Sequence, residues 1–135
     1  MKLKLQHHFD AAHRLEFHEG LCRNLHGHRW EIIVEIEGYS PDGDMIIDFG
    51  KLKQLINEFD HCTILRGCEE NKLLIEVLNK LQLRVKLLND SPTAENLSIE
   101  IQKLIDQELR ENYVGEYKVK VTLFESPGAS IEYEE

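Results

Sequence analysis

From His26 the chain alternates for a dozen residues. His26, His28, Trp30, Ile32, Val34 and Ile36 fall on one parity, and Gly27, Arg29, Glu31, Ile33, Glu35 and Glu37 on the other. A strand sends successive side chains to opposite faces, so this pattern specifies a half-buried strand whose inward face begins with two imidazoles. Any fold for the chain must seat those two rings at the rim of a core. Gly27 between them leaves room for something to approach.

The first residues repeat the pattern. Leu3, Leu5, His7 and Phe9 share one face, and the same parity carried through Ala11 brings His13 to the inward side. Three imidazoles on neighbouring inward faces fit a catalytic zinc site, which takes three protein ligands and keeps one position open. A His-x-His pair alone is weak support, because such pairs arise by chance. His7, His8 and His18 are read as ordinary core or surface residues.

Residues 14–25 show no period and form a loop that carries Cys22. That cysteine has three readings: a fourth, structural metal ligand, a catalytic thiolate with its pKa lowered beside a metal, or a plain buried residue. Cys62 and Cys68 are given no role.

The rest of the chain mixes helices and strands. Gly38–Asp44 is a turn cluster. Asp48 caps a helix with its apolar stripe at Phe49, Leu52, Leu55, Ile56 and Phe59, and Asp60-His61 falls at its end. There the pair is either a proton-transfer dyad or a histidine complementing the helix dipole. A second helix is expected within Glu69–Leu81 and a short strand within Leu83–Leu88. Ser91-Pro92 starts a third helix with Ala94, Leu97, Ile101, Leu104, Ile105 and Leu109 inward. Tyr117, Val119, Val121, Leu123 and Glu125 share a strand face, and Ile131–Tyr133 is the last strand. Glu125 stands where another valine is expected, so it either reaches solvent past the rim or awaits a cationic or N–H-rich ligand. The order β-β-α-(α)-α-β-β makes an α+β domain spanning residues 1–135.

Composition narrows the partners. The formal charge of −9, from 16 Lys and Arg against 25 Asp and Glu, argues against nucleic acid. No run of about eighteen apolar residues exists to span a membrane. Met1–Leu5 alternates instead of building a signal-peptide core, so a cytoplasmic protein with reduced thiols is expected. A cupin barrel, the rival fold for His-x-His, is disfavoured. Glu31 lies one residue too near His28 for the cupin motif and so points to the other face, and no histidine follows His61.

Phe9–His13, Cys22-x3-His26-Gly27-His28, Ile46–Phe49, Asp60-His61, Pro92–Leu97 and Glu125-Ser126 occur in the order seen in the 6-pyruvoyltetrahydropterin synthase family. The resemblance covers nearly the whole chain. The three-residue gap between Cys22 and His26 resembles the bacterial branch that makes 6-carboxy-5,6,7,8-tetrahydropterin for queuosine. The chain departs from the family at Phe59, at Ser126 and in an insertion between His61 and Ser91.

The resemblance implies a zinc lyase acting on 7,8-dihydroneopterin triphosphate. His13, His26 and His28 would hold Zn2+, Cys22 would be the catalytic thiol, and Asp60 and His61 a proton relay. Glu125 would anchor the pterin, with Thr93 a further substrate contact. It also implies the tunnelling fold: a four-stranded antiparallel sheet with helices on one face, three copies closing a barrel and two barrels stacking into a homohexamer. The alternatives are a 6-pyruvoyl-forming synthase and a non-catalytic, zinc-stabilised oligomer.

Overall fold

The computed structural model describes residues 1–41 and 44–135; Asp42 and Gly43, within the expected turn at Gly38–Asp44, lie outside the described residues. The alternating segments form β1 (Lys2–His13) and β2 (His26–Glu37), paired antiparallel from Lys2 opposite Glu37 to His13 opposite His26. That register sets the first imidazole directly across from the second. Phe9, Trp30, Ile32, Val34 and Ile36 are fully buried on the same face, as the parity requires.

Helices cover that face. Helix α1 (Phe49–Ile56) is capped by Asp48, whose carboxylate accepts from Gly50 N at 2.6 Å. Helix α3 (Ala94–Asn112) buries Leu97, Ile101, Ile105 and Leu109, while Ala94 and Leu104 pack at the margin. Its cap is Thr93, which accepts from Asn96 N at 3.2 Å, and not Ser91 as the sequence suggested. The Ser91 hydroxyl is turned instead to the Glu16 carboxylate, and the Ser91 carbonyl accepts from Thr93 N and Asn96 Nδ2, so the cap falls to Thr93.

Strand β5 (Lys118–Ser126) lies antiparallel to β2, and β6 (Ala129–Glu134) returns beside β5. These four strands are the expected antiparallel set, but the sheet is larger. Strand β3 (Cys62–Arg66) runs parallel to β1, from Ala11 opposite Cys62 to His13 opposite Ile64. Strand β4 (Val85–Leu88) runs parallel to β3, and helix α2 (Lys72–Lys80) makes the crossover that a parallel pair requires. The sheet is therefore mixed and six-stranded, in the order β4-β3-β1-β2-β5-β6. The insertion between His61 and Ser91 builds the two extra strands.

The face away from the helices is polar. Glu35 gathers Lys120 at 3.0 Å, Lys4 at 3.5 Å and Lys2 at 3.8 Å, and the Lys120 hydrogen bond foremost holds its carboxyl below the ordinary value. Lys2–Phe9 of β1 has a paired neighbour on the β2 side only, and β6 forms the far edge. The described sheet thus keeps open edges along Lys2–Phe9 of β1 and along β6, besides the short terminal strand β4.

Candidate metal centre and active site

His13 ends β1, His26 begins β2, and His28 follows two residues on. The ring centroids lie 4.6 Å apart for His13–His26, 4.9 Å for His26–His28 and 5.1 Å for His13–His28. Trp30 floors the cluster, edge-on to His13 at 5.1 Å and to His28 at 5.4 Å. Glu125, at the end of β5, joins them: one ligand atom from each of the four residues lies within 4.8 Å of the others.

The hydrogen bonds fix the tautomers. His13 Nδ1 donates to the Pro92 carbonyl and His26 Nδ1 to the Asn24 carbonyl, each at 2.7 Å. A carbonyl oxygen only accepts, so both protons sit on Nδ1 and both Nε2 atoms present lone pairs. Yet the two Nε2 atoms face each other at 3.1 Å. Two lone pairs at that distance repel unless a positive charge lies between them. His28 Nε2 is also buried without a hydrogen-bond partner among the described residues, 3.3 Å from Glu125 Oε1.

Burial foremost lowers the pKa of both His13 and His28, with neighbouring imidazoles adding to it, which favours the neutral form that ligates metals. Three imidazole nitrogens and a carboxylate fit a divalent cation such as zinc. The carbonyls of Pro92 and Asn24 are the outer partners that orient such ligands. Backbone acceptors carry no side-chain signature, so nothing in the residue pattern marks them.

A cavity of about 590 Å³ opens beside His28 and Glu125, lined also by Gly27, Arg29, Phe124 and Ser126. Its size suits a small-molecule ligand. A Cβ on Gly27 would meet nothing nearer than the Ala11 carbonyl at 3.9 Å, so the fold itself does not demand glycine there. What the glycine leaves is space in the cavity.

The other candidates stand around this centre. Cys22 lies in a single 3-10 turn, Leu21–Arg23, tied down by Leu15 N donating to its carbonyl at 2.9 Å. It is partly exposed and is not among the donors that converge, whereas Glu125 is. Thr93 adjoins the Pro92 carbonyl, and its hydroxyl oxygen, while capping α3, keeps its own proton to donate.

Asp60 and His61 follow directly on the end of the helical run, with Asp60 as its C-cap. Helix α1 stops at Ile56, a 3-10 turn covers Asn57–Phe59, and His61 then adopts φ +56° before β3 begins. Asp60 Oδ1 accepts from Asp10 N at 2.9 Å, Oδ2 accepts from His61 Nδ1 at 2.8 Å, and His61 N donates to the Asp10 carbonyl at 2.7 Å. The pair is thus pinned to the edge of β1, three residues or about 10 Å of strand from His13. The positive φ, unusual for a residue other than glycine, lets adjacent residues close the carboxylate–imidazole contact.

The Asp10 N–H, and then His61, hold the Asp60 carboxyl below its ordinary value of 3.8. A folded value below the unfolded one contributes stability above the unfolded pKa that is lost as the pH falls through the folded one. Asp60→Asn keeps an acceptor and loses the charge. The parent's advantage in urea midpoint over this variant is expected at pH 7 and should shrink as the pH drops below about 4.

The sequence pattern of the 6-pyruvoyl tetrahydropterin synthase family matches residues 2–135. The chain belongs to this family. A 6-carboxy-5,6,7,8-tetrahydropterin synthase from Rickettsia bellii is 34% identical over 131 residues, covering 92% of this chain and 93% of that protein. A putative enzyme of the same name from Pyrococcus abyssi is 39% identical over 123 residues, covering 84% and 78%. Among solved structures, an uncharacterized protein from Wolinella succinogenes superposes with a TM-score of 0.74 at 18% identity, over 99% of this chain and 97% of that one. The 6-pyruvoyl tetrahydropterin synthase of Plasmodium falciparum gives 0.69 at 18% identity, over 100% and 97%. These two show that the fold is shared. No described helix is long and apolar enough to cross a membrane.

Proposed function

We propose that the protein is a zinc-dependent 6-carboxytetrahydropterin synthase. It would convert 7,8-dihydroneopterin triphosphate and one water to 6-carboxy-5,6,7,8-tetrahydropterin, acetaldehyde and triphosphate, a lyase step toward queuosine in the cytoplasm. The observation that carries the reading is the convergence of three imidazoles and Glu125 beside a ligand-sized cavity. The names of the relatives support the choice of product.

His13, His26 and His28 would hold the zinc, which when bound polarises the side-chain hydroxyls of the substrate and acidifies the adjacent C–H bonds. Glu125 accepts two N–H bonds from the amino-pyrimidinone edge of the pterin, which explains a carboxylate at the end of an apolar strand face. Thr93 donates its hydroxyl proton to the same ligand. Cys22 as thiolate and His61 steadied by Asp60 move protons between the side chain and the ring. The ring is reduced as the side chain is oxidised, so no nicotinamide is required.

The placement of Asp60-His61 at the β1 edge favours a site shared between copies. Pairing the free edge at Lys2–Phe9 with a neighbour's β6 would cover those two edges and close three sheets into a barrel with the polar face inside. Two such barrels would stack into the homohexamer. The reading of Cys22 as a structural fourth ligand loses support, because its sulfur is not among the donors that converge.

Incubation with dihydroneopterin triphosphate is expected to release acetaldehyde, and a chelator to stop it. A pyruvoyl product without acetaldehyde would assign the protein to the 6-pyruvoyl-forming branch instead. Acetaldehyde release that survives complete metal removal would refute the mechanism.

A further inference from the structure

The loop leaving β1 carries Glu16, whose side chain is only 4% exposed. A buried carboxylate is costly unless it is paired and hydrogen-bonded. Here the Ser91 hydroxyl donates to Oε1, and the Arg66 guanidinium lies 3.5 Å from the same oxygen. Oε2 is buried and accepts no hydrogen bond from the described residues. The grip is therefore concentrated on one oxygen and aimed at Ser91.

Both partners are themselves fixed. Arg66 ends β3; its carbonyl accepts from Asn71 Nδ2 at 2.9 Å, and its Nε donates to the Asn89 carbonyl at 3.2 Å. The Ser91 carbonyl accepts from Thr93 N and from Asn96 Nδ2, each at 2.8 Å. The next carbonyl, that of Pro92, accepts the His13 Nδ1 proton. Proline locks φ at Pro92, and the Thr93 N–H, which shares a planar peptide unit with the Pro92 carbonyl, is bonded back to Ser91, so that oxygen has little freedom to swing independently of Ser91.

We propose that Glu16 is a positioning residue for His13. By gripping Ser91 it holds the Pro92 carbonyl where it keeps the proton on His13 Nδ1, leaving Nε2 bare toward the metal. The inserted segment gains a role thereby, since its Arg66 supplies the charge that makes a buried Glu16 tenable. This inference rests on the metal reading of the site.

Two measurements test it. Imidazole 15N shifts of the metal-free protein, taken above pH 8, read the His13 tautomer, and competition with a chromophoric chelator reads zinc affinity. Glu16→Ala is expected to mix the tautomers and weaken zinc binding about 10- to 100-fold, the usual effect of losing an outer partner. Glu16→Gln keeps an oxygen for the Ser91 hydroxyl and should restore the parental tautomer and most of the affinity. Ser91→Ala should reproduce the Glu16→Ala loss while leaving Glu16 with Arg66, and it decides the matter if Glu16→Ala does not fold. A merely structural role would lower the unfolding temperature without moving either readout. Parental tautomer and affinity in Glu16→Ala, or in Ser91→Ala where that variant alone folds, overturn the proposal. A parent that binds no zinc overturns the metal reading, and the tautomer comparison still decides the role of Glu16.

Discussion

Cys22→Ala is expected to cut acetaldehyde release about a hundred- to ten-thousandfold, the range for losing a positioned acid or base, while the purified variant keeps its full complement of zinc. The expectation of retained metal comes from geometry. The four donors that converge are His13, His26, His28 and Glu125, and the Cys22 sulfur is not one of them. Nor does the thiol hold its own loop in place. That is done by Leu15 N on the Cys22 carbonyl and by Arg14 Nε on the Arg23 carbonyl at 3.0 Å, neither of which the substitution touches. Elemental analysis together with a turnover assay separates the two effects. If zinc and fold were lost together, Cys22 would be a structural ligand and the chemistry assigned to it would go elsewhere.

The antiparallel half of the fold was legible because its signal is local and strong. Alternation over residues 2–9, its parity carried on to His13, and over His26–Glu37 specified both strands and the inward side of His13, His26 and His28, and the register then set His13 across from His26. The inward stripe of α3 was legible for the same reason. Strand β3 was not. Cys62–Arg66 is five residues long with Ile64 and Leu65 both buried, so it lacks a half-buried alternation and resembles any short apolar run. Its partner, β1, lies some fifty residues earlier, and nothing local announces a parallel pairing of that range.

The site was legible where side chains carry it and hidden where backbone does. Three histidines and a misplaced glutamate could be picked out by parity; the carbonyls of Asn24 and Pro92 that fix two tautomers could not. Asp60-His61 shows both limits. The pair stood out as residues, but its geometry depends on a left-handed His61 and on Asp10 across a strand edge.

His26→Ala should produce the largest change in metal binding with the least disturbance of the fold. The ring sits at the rim and is partly exposed, and the pairing of β1 with β2 runs through the backbone, so the metal-free variant should unfold near the parental temperature. Its Nε2, however, faces that of His13 at 3.1 Å, and removing it takes away one of three imidazole donors. Loss of a direct ligand should exceed the 10- to 100-fold that an outer partner is worth. Zinc that binds only the folded chain raises its stability in proportion to the logarithm of its concentration over Kd. The zinc-induced rise in unfolding temperature seen in the parent should therefore vanish in the variant, together with acetaldehyde release. His13→Ala is a poorer test, because that ring is buried and its loss also opens a hole over Trp30. His8→Ala serves as the control: the residue is exposed, lies on the opposite face of β1 and contacts Arg29, so zinc binding should be unchanged. A His26→Ala protein that still gained the parental increment from zinc would place the metal somewhere other than this cluster.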